Sequence, residues 1–206
     1  MKLSVVIPFY NEENMIQKMY DELVKEINQI TKAEFEIIFI NDGSKDRTFE
    51  RMLAIAAGDS RVKYISFSRN FGKEAGTIAG LEYATGEAVI LMDGDLQHPP
   101  AMLPQMIEAY EEGYDVVSAR RTRTGEKPHR TFLAKHFYRL ANKMMDIELM
   151  DGVSEFRLFS RKAVRAILSL QEYNRFSKGI FYWIGFKEKV IEYVGGAKDG
   201  YWTVKK

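Results

Sequence analysis

The segment Asp93-Gly94-Asp95-Leu96-Gln97-His98-Pro99-Pro100 carries two carboxylates one residue apart, directly after the apolar run 88–92. Carboxylates so placed at a strand end can share a hard divalent cation and the phosphates it carries. Gly94 lets the backbone come close to a ligand, and the paired prolines stiffen the exit. A bare Asp-x-Asp is also the sequence of a solvated turn, and His98 by itself reads as a surface histidine. The chemical reading gains from a second acid, Asp42, which also follows a predicted strand.

Arg120, Arg123 and Arg130 lie in a stretch, 118–143, with eight basic residues and one acid, Glu126. That is a local charge of +7 in a chain whose net charge is +1. Guanidinium groups suit phosphate because they make paired, charge-assisted hydrogen bonds. The same composition also makes a solvated basic surface. No aromatic stacking ladder accompanies it, so nucleic acid is not expected as a partner.

These side chains need a frame. The runs 3–7, 35–40, 62–66 and 88–92 have the β-branched, apolar look of buried parallel strands, the first stopping at Pro8. Helices are expected over 48–57 and 72–84 between them. Asn11 is expected to cap an earlier helix, with Glu12 and Glu13 in its first turn. Its apolar stripe would be Met15, Met19, Leu23, Ile27 and Ile30. After Pro104 a helix over 105–112 leads to a strand over 115–119. This alternation predicts an α/β fold with a mostly parallel central sheet flanked by helices, since parallel strands need crossovers. Ligands collect at the carboxyl ends of such strands, here 8–12, 41–46 and 93–100.

Length and composition bound the rest. The 206 residues suit one domain, and 46% hydrophobic with 29% charged residues excludes a disordered tail or a membrane bundle. The absence of cysteine excludes disulfides, thiolate metal sites and thiol nucleophiles. No run approaches eighteen apolar residues and the first apolar stretch is too short for a signal peptide, so the chain as given reads as soluble or peripheral. Phe132, Leu133, His136, Phe137, Leu140, Met144 and Met145 form an apolar stripe with Lys135, Arg139 and Lys143 opposite. That pattern fits a membrane-surface helix or an ordinary core-facing one. Phe176, Phe181, Tyr182, Trp183 and Phe186 are equally open between core, lipid contact and subunit interface.

Taken together, Val5-Val6-Ile7-Pro8-Phe9-Tyr10-Asn11-Glu12, Ile40-Asn41-Asp42-Gly43-Ser44-Lys45-Asp46, Arg69-Asn70-Phe71-Gly72-Lys73 and Met92-Asp93-Gly94-Asp95-Leu96-Gln97 resemble glycosyltransferase family 2. The resemblance spans roughly residues 3–190. Asp-Leu-Gln-His-Pro-Pro and Glu155-Phe156-Arg157-Leu158 look most like its polyprenyl-phosphate and dolichol-phosphate members, of the bacterial bactoprenol glucosyltransferase type. The resemblance implies a single GT-A domain, Rossmann-like, with a nucleotide-sugar-binding half (1–118) and an acceptor-binding half (119–206). It implies that Pro8, Tyr10, Glu12 and Asp42 hold the donor's base and ribose, and that Asp93 is a nucleotide-side acid. Asp95, with Gln97, would ligate Mg²⁺ or Mn²⁺, and Arg120, Arg123 and Arg130 would meet the acceptor phosphate.

The implied reaction is an inverting, metal-dependent transfer of a hexose from a nucleotide sugar, UDP-glucose favoured over the GDP-mannose type. The acceptor would be a polyprenyl phosphate at the cytoplasmic membrane face. In the family an Asp before Phe-Arg-Leu is the proposed base; here Glu155 stands there, and Arg157 would steady a phosphate. A phosphate monoester, with a second pKa of about 6, needs little deprotonation, so Glu155 reads as a positioner rather than an essential base. The segment 195–203 departs from the relatives' Arg-rich closing segment, with Lys198 in place of one arginine. Many relatives continue into transmembrane helices, so the chain is expected to be part of a longer membrane protein, and such relatives often form homo-oligomers. Transfer to a sugar hydroxyl, or non-catalytic nucleotide-sugar binding, are the alternatives.

Overall fold

A computed structural model describes residues 1–122, 153–170, 181, 184–194 and 203–204. The strands are β1 (Lys2–Phe9), β2 (Glu34–Asn41), β3 (Val62–Ser66), β4 (Ala88–Leu91), β5 (Val116–Thr122), β6 (Val153–Ser160), β7 (Glu188–Val194) and β8 (Thr203–Val204). The helices are α1 (Ile16–Ile27), α2 (Thr48–Gly58), α3 (Lys73–Tyr83), α4 (Leu103–Glu111) and α5 (Arg161–Ser169). The described strands form one sheet in the order β3-β2-β1-β4-β6-β5-β7-β8. β3, β2, β1 and β4 are mutually parallel, and β6 enters antiparallel between β4 and β5.

The predicted elements recur with small shifts. The central strands read as continuous apolar runs because helices cover both faces of the sheet. Leu3, Val5, Ile7 and Phe9 of β1 pack on one face with Ile16, Met19 and Leu23 of α1. Val6 packs on the other with Leu81 of α3 and Ala163, Val164 and Ile167 of α5. Burying such aliphatic side chains contributes about 1.5–3 kcal/mol each, before conformational entropy is subtracted.

β1 does not stop at Pro8 but runs on to Phe9. Met92 N–H bonds to Val6 O at 3.1 Å, so Val6 faces β4. Pro8, two residues on, faces the same way, beyond the last β4 pairing at Leu91, so its missing N–H costs no ladder bond. α4 begins at Leu103 with Pro104 inside its first turn, where a proline is tolerated, rather than after it. β5 extends past 119 to Thr122.

The expected cap at Asn11 is corrected. α1 starts at Ile16, with Met15 in the cap position and no acid in the first turn, and Asn11 has φ +54°. The segment 11–13 spends its polar groups across the next loop instead. Asn11 N–H donates to Ser44 Oγ (3.0 Å), and Asn11 Oδ1 accepts from Lys45 N–H (2.8 Å). Glu12 N–H donates to Thr48 Oγ1 (2.7 Å) and Glu13 N–H to Asp46 Oδ2 (3.1 Å). These bonds lash the carboxyl ends of β1 and β2 together and place Tyr10 and Glu12 beside the loop that carries Asp42. Among the described residues no helix is long and apolar enough to cross a membrane.

Candidate active site

Where β1, β2 and β4 end, their loops enclose a cleft of about 280 Å³. Pro8, Tyr10, Glu12, Asp42, Asp93 and Asp95 all line it, together with Asn70, Gly72 and Lys73. A second hollow of about 580 Å³ shares Tyr10 and Asn70 with the first and continues past Gly43, Ser44 and Phe67. The expected donor-side residues therefore converge on one place, and they do so because each lies at or just beyond the carboxyl end of one of these parallel strands.

The acidic turn after β4 is held from beneath. Gly94 lines the cleft and also lies against Phe9, where a Cβ would sit 2.3 Å from the ring. Leu96 takes φ +57°, which lets Gln97 N–H reach back to Asp95 Oδ1 at 3.0 Å. His98 is not a surface residue: it is 9% exposed, with Nδ1 hydrogen-bonded to Tyr193 OH of β7 and Nε2 3.9 Å from Asp93 Oδ2. Burial holds His98 below the usual imidazole range, against the pull of Asp93 and Asp95, and pushes the Tyr193 hydroxyl up to about 12.

Lys73 is the residue that the sequence reading left without a role. Its Nζ lies 2.5 Å from Asp93 Oδ1 and also pairs with Glu155 Oε2 of β6. Burial alone would lower its pKa, but the two carboxylates prevail and hold it above the ordinary lysine value. Asp42 sets where Lys73 stands. Its carboxylate is 3% exposed and accepts from Phe71 N–H (2.7 Å) and Gly72 N–H (2.9 Å), the two residues before Lys73. Gly43, at φ +64°, packs against the Arg69 backbone, where a Cβ would fall 2.2 Å from the carbonyl carbon.

Asp95 and Gln97 offer hard oxygen donors, the chemistry that Mg²⁺ and Mn²⁺ prefer. Among the described residues no three acidic or histidine side chains converge as a complete metal shell. The charge balance around Asp95 nevertheless suits a cation. Glu12 is pushed above the ordinary carboxylate range by burial and then by the negative charges of Asp95 and Asp46. A cation held at Asp95 would relieve that repulsion.

Residues 4–168 match the model of the glycosyl transferase family 2 domain. The chain belongs to glycosyl transferase family 2. CsbB of Bacillus subtilis (strain 168), a protein named as a glycosyltransferase, is 52% identical over 191 residues, covering 93% of this chain and 58% of that protein. The bactoprenol glucosyl transferase of Shigella phage SfV is 44% identical over 195 residues, covering 94% of this chain and 63% of that protein. The chain thus spans about six-tenths of the length of these curated relatives. Among solved structures, a mannosyltransferase from Pyrobaculum calidifontis in complex with GDP-Man and Mn²⁺ matches with a TM-score of 0.64 at 17% identity, covering 97% of this chain and 58% of that one. S. aureus TarS 1–349 in complex with UDP matches at 0.62 and 18%, covering 93% and 58%. The fold is that of the GT-A glycosyltransferases, as the motifs implied.

In this family 2 domain the residues expected to meet the acceptor fall less simply. Glu155 is tied to the acidic turn through Lys73, which pairs with both Glu155 and Asp93. Arg157, two residues along on the same face of β6, is 1% exposed, with Nη1 3.7 Å from Glu188 Oε1 and its guanidinium 5.2 Å from the Phe181 ring centroid. It is packed between Glu188 and Phe181 and is not among the residues that line this cleft. Arg120 pairs with Glu192 across the β5–β7 register. Arg123, Arg130, the stripe 132–145, Phe176, Tyr182, Trp183 and Lys198 lie outside the described residues. Phe181 belongs to the core, 4.8 Å from Phe159 between ring centroids, which settles one member of the aromatic cluster. Phe186 packs against the same core, partly buried.

Proposed function

We propose that this chain is the catalytic part of an enzyme that transfers a hexose, glucose favoured, from a nucleoside diphosphate sugar to a polyprenyl phosphate at the cytoplasmic face of a membrane. The observation that carries the reading is the cleft lined by the donor-side acids Asp93 and Asp95, with Lys73 of its lining joining Asp93 to Glu155. The glucose and the lipid are supported by the relatives named as bactoprenol glucosyl transferases, at 44% identity over most of this chain.

Pro8, Tyr10 and the ordered loop beyond Asp42 offer a wall for the base and ribose, with the adjoining hollow giving the cleft room for a nucleotide. Asp95 and Gln97 would hold Mg²⁺ or Mn²⁺. Such a cation supplies Lewis-acid neutralisation of charge on the leaving diphosphate. An acceptor phosphate oxygen would attack the sugar C1 in line as the nucleoside diphosphate departs, inverting that carbon. Glu155 orients the acceptor side rather than removing a proton, because its carboxylate is already engaged by Lys73 and a phosphate is largely ionised at neutral pH. Arg120, Arg123 and Arg130 form the acceptor-phosphate group in this reading, and residues 119–206 the acceptor half.

Calorimetric titration of UDP-glucose and GDP-mannose, with Mn²⁺ and with EDTA, tests the donor class. The expected result is metal-dependent binding of UDP-glucose that disappears in Asp95→Ala. A folded protein that binds neither donor would overturn the reading.

A further inference from the structure

Lys73 occupies a place where a cation is poorly tolerated on local grounds. It is the first residue of α3, where the helix dipole presents its positive end. Its position is nonetheless fixed from two sides. The loop before it is clamped by Asp42 through Phe71 and Gly72, and its Nζ is held by Asp93 from the donor side and Glu155 from the acceptor side. Asp93 follows β4 and Glu155 lies on the neighbouring strand β6, and no other lysine or arginine ion pair to either of them is formed among the described residues. Without Lys73 the cleft would hold the carboxylates of Glu12, Asp93 and Asp95, and Glu155 beside Lys73 would be left with no such pair.

Building on the donor reading above, we propose that Lys73 is a resident counter-cation of the transfer site: it holds Asp93 and Glu155 in the free protein, so that a divalent cation enters tightly only together with a nucleotide diphosphate. The lysine sits on Asp93, two residues before Asp95, so a divalent ion at Asp95 and the ammonium group would share one short acidic turn and repel each other. The two extra negative groups of a diphosphate change the balance by giving both cations enough anionic partners. The side chain is half exposed, at 44%, so it can turn toward an arriving phosphate while its backbone stays clamped. Ordered entry of this kind would keep the metal from settling in the empty cleft and would keep Glu155 in place until the donor arrives.

The test measures Mn²⁺ affinity directly, by electron paramagnetic resonance of free Mn²⁺, with and without UDP. Wild type, Lys73→Met and Lys73→Arg are compared. Wild type is expected to bind Mn²⁺ weakly alone and at least about tenfold more tightly with UDP, an equilibrium coupling that must be reciprocal. Lys73→Met is expected to bind Mn²⁺ alone at least about tenfold more tightly than wild type, with the gain from UDP reduced, while Lys73→Arg follows wild type. Unchanged Mn²⁺ affinity in a folded Lys73→Met protein overturns the proposal and leaves the donor reading intact. Equal Mn²⁺ affinity of wild type with and without UDP overturns it as well, even if the methionine variant does not fold. Failure of wild type to bind UDP under any metal condition removes both.

Discussion

Gly72 donates its main-chain N–H to the Asp42 carboxylate at 2.9 Å, so the end of β2 grips the residue immediately before α3. Phe71 N–H takes the other carboxylate oxygen at 2.7 Å. Asp42 lines the cleft, but each of its carboxylate oxygens is engaged by this loop, which leads directly into Lys73.

Asp42→Ala should therefore lower stability by about 1–2 kcal/mol, the usual cost of leaving donors without their acceptor. It should also weaken nucleotide binding, because Lys73 loses its fixed origin. Asp42→Asn retains one acceptor oxygen and should fall between the two. Thermal unfolding and UDP titration of the three proteins measure both effects, and an unchanged melting temperature in Asp42→Ala would contradict the clamp.

Glu155→Ala removes one of the two carboxylates on Lys73, along with the side chain proposed above to orient the acceptor. For a phosphate acceptor the turnover should drop by about 10–10³-fold, since misplacement is costly but no obligatory proton transfer is lost. Glu155→Gln, which keeps the shape, should recover part of the loss. Steady-state kinetics with a short-chain polyprenyl phosphate decide the matter: a fall of about 10⁴-fold or more in both variants would make Glu155 an essential base.

The frame was legible because β-branched runs between amphipathic stretches leave few alternatives to a parallel sheet, and a parallel sheet puts its loops at one edge. Pro8, Tyr10, Glu12, Asp42, Asp93 and Asp95 could thus be placed together from their positions after strands. What failed was local reasoning wherever a distant partner prevailed. Asn11 has the composition of a cap, yet Ser44 and Lys45 take its hydrogen bonds. His98 looks like a turn histidine until β7, far along the chain, brings Tyr193 against it. Lys73 was hidden because its acidic partners come from distant segments, Asp93 from the turn after β4 and Glu155 from β6. A signal was present, since a lysine opening a helix stands against the dipole and needs an acid nearby.

Gly94→Ala tests whether the acidic turn depends on its packing. The added Cβ would meet Phe9 Cε1 at 2.3 Å and Cδ1 at 2.6 Å. The ring is 2% exposed and stands edge-on to Phe39, with centroids 5.3 Å apart, so it has little room to yield. A loss of about 1–3 kcal/mol is expected, the range for overpacking a filled core. Because the strain falls between Asp93 and Asp95, Mn²⁺–UDP affinity should fall with it. A variant that unfolds like wild type and binds Mn²⁺–UDP equally well would show that the turn is not braced by Phe9.

Asp59 offers a change of stability far from the chemistry. At the end of α2 its carboxylate accepts from Arg61 Nη2 (2.7 Å), Arg61 N–H (2.9 Å) and Tyr20 OH (2.9 Å), joining α2 to α1. The Arg61 guanidinium, outweighing the cost of burial, brings its pKa down to about 2 from an ordinary 3.8. A carboxylate lowered on folding stabilises the protein above its unfolded pKa, and that contribution is lost as pH falls through the folded one. Asp59→Asn should therefore be less stable than wild type by about 1–2 kcal/mol at neutral pH, with the gap closing between about pH 4 and pH 2. Donor binding at neutral pH should be unaffected, since Asp59 does not line the cleft. Denaturant unfolding across that pH range, with UDP titration at pH 7, checks both parts, and a gap that persists to pH 2 would mean that the side chain acts through packing rather than through its charge.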